Sequence, residues 1–307
     1  MPEPHPHTPG TPPSPRRRDP RLYQIAVLSS LLLYGFLALG FEFRPKFVVT
    51  VVATALLTQW LCGRWVGLPR FDPRSPLISS LSLALLLRTH ELEIAAFAAF
   101  VAIASKFVVR FRGKHVFNPT NFGIGVALLT CDAAWVSPGQ WGTAALLAFF
   151  LAGAGGVVTL RADRGDVTWA FLASYAGLLF GRTLWLGDPW VIPLHQLSSG
   201  ALLVFAFFMI SDPKTTPDHR AGRVLYAAVV ALVAATIRFG LHRPNDLLWA
   251  LLLCAPLVPW IDRWLPATRY RWTRSVATWA APKPSTSSEL PTTPSPKPTM
   301  KPQGALS

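Results

Sequence analysis

Two connections in this chain hold the residues best suited to chemistry. In KHVFNPTNFGIG, residues 114–125, Pro119 lacks an N–H and suits a first helical turn, while Asn118, Thr120 and Asn121 gather side-chain hydrogen-bonding groups beside it. A short helix beginning there aims free amide groups and the positive end of its dipole outward, a setting for a phosphate, a carboxylate or a carbonyl oxygen. Gly123 and Gly125 would let a ligand or a neighbouring helix come close. The same residues also make an ordinary helix cap, and their types alone leave both readings open. In FMISDPKTTPDHRAGR, residues 208–223, Ser211, Asp212 and Pro213 stop a helix, and Lys214, Thr215, Thr216, Asp218, His219 and Arg220 follow. That places a carboxylate among hydroxyls and cations, either to grip a polar ring or phosphate or simply to form a solvated loop.

Other candidates are weaker. Ser79, Ser80 and Ser82, and again Ser198 and Ser199 with Gly200, put small hydroxyl residues on two short helical stretches, where they can line a pocket or let helices pack closely. Lys106 sits well inside an apolar run, one turn before Arg110, and its long stem is expected to snorkel toward the interface. No Asp or Glu falls in the middle of an apolar run, which argues against a self-contained carboxylate-driven pump; backbone carbonyls and hydroxyls remain available to an ion. The seven His fall in loops and tails, against paired axial haem ligands. Cys62, Cys131 and Cys254 are far apart without a CxxC pair, so neither a metal site nor a disulfide framework is expected.

The elements that must position these residues are membrane helices. The 307 residues are 51% hydrophobic and 14% charged, with mean hydropathy +0.36, and the apolar runs are too long and numerous for one soluble core. The net charge of +14 comes from short Lys and Arg clusters between apolar runs, which read as topology determinants and not as a nucleic-acid surface. Candidate segments lie near 22–41, 47–66, 76–88, 92–110, 119–130, 143–160, 167–184, 196–211, 223–240 and 246–263, those at 76, 119 and 196 being short. With both ends cytoplasmic, the outer loops carry only Arg44, Lys46, Arg88, Arg182, Arg238 and Arg243, and most cations fall inside. The expected organisation is a basic, Pro-rich cytoplasmic tail at 1–21 without a cleavable signal, a membrane repeat at 22–130, a second at 143–265, and a disordered Pro/Ser/Thr-rich tail at 282–307.

The short segments repeat. PLISSLSLALLL from Pro76 resembles PLHQLSSGALLVF from Pro193, and RFRGKHVFNPTN from Arg110 echoes RFGLHRPND from Arg238, at matching places in two groups of five. Five crossings per unit is odd, so the second copy is inverted relative to the first. Inverted repeats with interrupted helices in matching positions point to a central binding site. The fold expected is an all-α, polytopic transmembrane bundle of about ten segments in two inverted five-segment repeats with short or broken third helices.

The strings HVFNPTNFG and LSSGALLVFAFFMISDPKTTP resemble the family that comprises the D-type membrane component of the Rnf electron-transport complex and the B-type component of the sodium-pumping NADH:quinone oxidoreductase. The likeness runs loosely over 20–265. The resemblance implies a membrane subunit that couples electron transfer to ion translocation beside other redox subunits, in a bacterial cytoplasmic membrane, either non-catalytic or electron-transferring. It also implies flavin, in many members FMN esterified to the Thr of a Ser/Thr-Gly-Ala-Thr motif. Here Ser199, Gly200 and Ala201 are followed by Leu202, which has no hydroxyl to accept a phosphoester, so a non-covalent FMN or riboflavin between the half-helices is the expectation. Asn118, Thr120, Asn121, Ser199, Asp212, Lys214, Thr215 and Thr216 are the residues expected to hold it. Short membrane proteins encoded near enediyne biosynthesis genes share the pattern, and the alternative expectation is a stand-alone transporter or exporter of a small molecule or ion.

Overall fold

The computed structural model describes residues 19–38, 44–137 and 164–270, with Gly153 and Gly156, both helical, between them. Apart from those two glycines, the segment expected at 143–160 lies outside the described residues, as do residues 1–18 of the first expected tail and the whole of 282–307. The described helices are α1 (Pro20–Ala38), α2 (Pro45–Trp65), α3 (Arg74–Leu86), α4 (Leu92–Val108), α5 (Pro119–Thr130), α6 (Gly165–Leu186), α7 (Val191–Leu197), α8 (Gly200–Met209), α9 (Arg220–Gly240) and α10 (Asp246–Trp264). Each expected segment in the described residues has its helix, with ends within a few residues of those read from apolar length.

By length and composition α1, α2, α9 and α10 are each able to cross a membrane, and α7 with α8, bent by 47° at the break between them, passes the same test as a pair, as a broken span or a re-entrant loop does. Helices α3 and α5 have 13 and 12 residues. At about 1.5 Å per residue, roughly 18 Å for α5, neither alone matches a hydrocarbon core of ~30 Å. Short strands flank both helices. Helix α3 runs on into β1 (Leu87–Thr89), which pairs antiparallel with β4 (Ala134–Val136) beyond α5, in the register Arg88 opposite Trp135. Between α4 and α5, β2 (Arg110–Phe111) and β3 (Lys114–His115) form a hairpin around Arg112 at φ 49° and Gly113 at φ 79°. Two successive positive φ values are what a tight two-residue hairpin turn requires. These ribbons are small additions to the all-helical expectation.

Helices pack through small residues. A Cβ on Gly123 would lie 2.5 Å from the Ala98 carbonyl oxygen and 2.7 Å from Ala102 Cβ, so α5 meets α4 at a distance only glycine allows. The aromatic interior continues through Phe171, which stacks on Tyr175 at 5.7 Å and meets Phe205 at 5.1 Å, tying α6 to α8. The last five residues of α8 and of α9 form π turns, Phe205–Met209 and Thr236–Gly240.

Charges collect at one end of the bundle. Arg21 at the start of α1 bonds Asp72 before α3 at 2.6 Å; Lys114 bonds Asp262 at the end of α10 at 2.7 Å; Arg223 at the start of α9 bonds Asp166 at the start of α6 at 2.5 Å. These connections are among those the charge pattern assigned to a common side.

Candidate functional site

The two sequence connections meet. The chain extends into α5 at Asn118, with φ −62° and ψ 124°, and the Asn118 Oδ1 accepts the Asn121 N–H at 3.1 Å, capping the helix whose first residue is Pro119. The other half of the Asn118 amide leaves the cap: its Nδ2 donates to the Met209 carbonyl at 3.3 Å and to Asp212 Oδ2 at 3.4 Å. One side chain thus joins the start of α5 to the end of α8, across 94 positions of sequence. Asp212 also accepts the Lys214 N–H on Oδ1 at 3.0 Å, and its carbonyl accepts the hydroxyls of Thr215 and Thr216. The loop is folded inward: Ser211, Thr215 and Thr216 are buried, which removes the solvated-loop alternative.

A cavity of about 50 Å³ opens between these elements, lined among others by Ser75, Ser79, Ser82, Lys106, Asn118 and Asp212. Lys106 is only 5% exposed and donates to Ser75 Oγ at 3.1 Å. It does not snorkel. The side chain turns inward because hydroxyls of α3 and the carboxylate of Asp212 face the same polar space, which substitutes for the interface it would otherwise seek.

The remaining expected residues divide. Thr120 lines the cavity and donates to the Ser79 carbonyl at 3.2 Å, and Lys214 lines it while its ammonium donates to the Tyr270 carbonyl at 3.4 Å. Asn121 turns toward α10, donating to the Leu248 carbonyl at 3.1 Å, and its Oδ1 is buried without a partner among the described residues. Thr215 and Thr216 close the loop on itself. Ser199 stands at the other end of α8, roughly 15 Å away along a ten-residue helix, and makes no side-chain cap there. The structure therefore gathers Asn118, Thr120, Asp212 and Lys214 and leaves Ser199 apart.

Burial pushes the Asp212 carboxyl up from the usual carboxylate range and the Lys214 ammonium down from its own. His115, which lines the cavity, is pulled down to about 4 by burial and by the positive charges of Lys106, Arg110 and Lys214, so its imidazole stays neutral at physiological pH. Among the described residues no group of three or more His, Cys, Asp or Glu is placed to hold a metal ion. Sequence reasoning missed Lys106 and His115 as parts of the site. The signal present for Lys106 was its depth within an apolar run.

A flavin does not fit this cavity. Pockets for ligands of drug size begin near ~300 Å³, several times the space here, and the polar groups around it largely bond one another. Leu202, the third residue of α8, is 3% exposed and carries no hydroxyl.

The NQR2, RnfD, RnfE family profile matches residues 132–271. The D component of the ion-translocating oxidoreductase complex of Erwinia tasmaniensis is 36% identical over 255 residues, covering 77% of this chain and 67% of that protein. The chain belongs to this family. Proteins of the same name from Alcanivorax borkumensis and Cronobacter sakazakii are 34% and 35% identical over 128 and 127 residues, each match covering 40% of this chain and, respectively, 36% and 34% of theirs. The profile covers Asp212 and its loop; Asn118 precedes the matched residues. As a member of the NQR2, RnfD, RnfE family with several apolar helices long enough to span, the chain is a multi-pass membrane protein.

Proposed function

We propose that this chain is a membrane subunit of an ion-translocating oxidoreductase complex, and that the cavity between α3, α4, α5 and the end of α8 is where it meets the translocated ion. The name carried by its relatives supports the first part. One observation carries the second: a buried ammonium, Lys106, and a half-buried carboxylate, Asp212, line the same small polar cavity, while the ammonium's hydrogen bond goes to Ser75 and not to the carboxylate. Space of about 50 Å³ suits a cation with water, held by Asp212 and by the hydroxyl and amide oxygens around it. Lys106 supplies a tethered positive charge that balances Asp212 when the ion is absent and repels the ion when it is present. Binding is then weak enough to release, as a pathway site requires.

The ten-segment organisation is read here as two inverted units of five. In each half the second segment packs on the fourth, α2 on α4 and α6 on α9, and the third is short or broken, α3 in one and α7 with α8 in the other. The charged end of the bundle is placed on the cytoplasmic side of the bacterial inner membrane, with both termini there. Flavin of such a complex is assigned to a place other than this cavity.

Purifying the tagged full-length chain from its native membranes tests the reading. Redox subunits carrying flavin or iron–sulfur centres are expected to elute with it. A chain that elutes alone and moves a solute without any electron donor is instead a stand-alone transporter.

A further inference from the structure

A second cavity, of about 190 Å³, opens at the charged end of the bundle between the β2–β3 hairpin and the last turns of α10. Its charged lining is Arg112, Lys114, Arg263 and Arg269 against Asp218 and Asp262. Both carboxylates are already engaged by cations: Lys114 Nζ lies 3.2 Å from Asp218 Oδ2 and 2.7 Å from Asp262 Oδ2, and Arg164 Nη2 lies 3.9 Å from Asp218 Oδ1. Asp262 Oδ1 also accepts the Asp218 N–H at 2.8 Å. That leaves three exposed arginines around the space, none with a carboxylate partner among the described residues.

Their placement follows from the backbone. The hairpin turn puts Arg112 at its tip in the left-handed region, its guanidinium 5.6 Å from the Phe111 ring centroid. Arg269 reaches the same turn: its Nη1 comes within 3.7 Å, an ordinary contact distance, of where a Cβ on Gly113 would be. Arg263 arrives from the last turn of α10. The same turns of α10 expose Trp260 and Trp264, at 61% and 74%, and the hairpin exposes Phe111. Indole rings so placed mark the level of the membrane–water interface.

We infer that this cavity is a binding site for a phosphate group, taken by Arg112, Arg263 and Arg269, and that its source is the headgroup of an anionic phospholipid. Guanidinium pairs phosphate oxygens in a planar, bidentate fork, and three such groups around a cavity with its carboxylates already neutralised favour an anion over a cation. The tryptophans at the same level favour a lipid over a dissolved ion, and basic pockets at the cytoplasmic ends of membrane helices are suited to such headgroups. The lipid would bridge the hairpin to α10.

The full chain in nanodiscs of phosphatidylcholine, with or without phosphatidylglycerol, provides the test. Retained lipid is read by native mass spectrometry after extraction, and the unfolding temperature is read in the disc. Phosphatidylglycerol is expected to be retained and to raise that temperature. The variant R112Q/R263Q/R269Q should retain on the order of a hundredfold less. The pair R64Q/R70Q, which removes cations elsewhere on the same side, should retain as much as wild type. Arg269→Gln alone gives a smaller loss in the same direction and serves where the triple variant does not fold. Inorganic phosphate that displaces the lipid and stabilises the chain in phosphatidylcholine alone would keep the phosphate site and make dissolved phosphate its source. Equal retention by the cavity variants and wild type, or equal loss in R64Q/R70Q, overturns the site.

Discussion

Lys106→Met is expected to lower redox-driven ion uptake by about tenfold or more while the chain still folds and inserts. The ammonium is buried, holds Ser75 and shares its cavity with Asp212. Methionine keeps most of the length and removes the charge, so packing of α4 on α3 survives while Asp212 loses its balancing cation. An unbalanced carboxylate in a small, largely buried space either takes a proton or holds a cation too tightly, and both outcomes stop turnover. Lys106→Arg keeps the charge and should retain part of the uptake. Asp212→Asn, in the same vesicle assay, should fall with Lys106→Met, because the two charges act as one unit. Uptake at the wild-type rate in both would remove the cavity from the pathway.

The second large effect is on stability. The guanidinium of Arg223 donates from Nε to both Asp166 oxygens, at 2.9 and 2.8 Å, from Nη2 to Asp166 Oδ2 at 2.5 Å, and from Nη1 to the Asp218 carbonyl at 2.7 Å. Both side chains are largely buried, at 10% and 15% exposure. Arg223→Ala strips these donor contacts and leaves the Asp166 carboxylate largely buried beside an emptied space, a change that costs roughly 3 kcal/mol or more. Thermal unfolding of the detergent-solubilised chain should show a clear drop in midpoint. Arg223→Lys should recover only part of it, because a point charge cannot reproduce the fork. The double variant Arg223→Ala with Asp166→Ala should be less damaged than Arg223→Ala alone, since the stranded carboxylate is gone. A single variant with an unchanged midpoint would mean that the pair does not brace α6 against α9.

Much of the fold was legible because lipid imposes a simple rule on sequence. Apolar length located α1, α2, α9 and α10, and punctuation by Pro, Gly and charge located the short α3 and α5. Asn118 before Pro119 announced the start of α5, and the cap formed as its residue types require. The meeting of Asn118 with Asp212 was not legible, because no local pattern states which of several polar connections a side chain 94 positions away will touch. Lys106 was misread for a related reason: snorkelling is the favoured outcome for a lone lysine on a lipid-facing helix, and only the packing of α4 against α3 shows that its face is enclosed. Residues such as Lys114, Asp218 and Asp262 look in sequence like scattered loop charges; their pairing depends on α10 returning to the β2–β3 hairpin. Ser199 was grouped with the others through its likeness to a motif, and the length of α8 separates it.

Ion uptake measured in sealed membrane vesicles energised only by an electron donor tests the central claim most directly. Vesicles lacking this chain are expected to lose donor-driven uptake, and vesicles given back the wild-type chain to regain it, in step with electron transfer through the complex. Uptake that persists at the full rate without the chain, or that the chain supports without any electron donor, would contradict it.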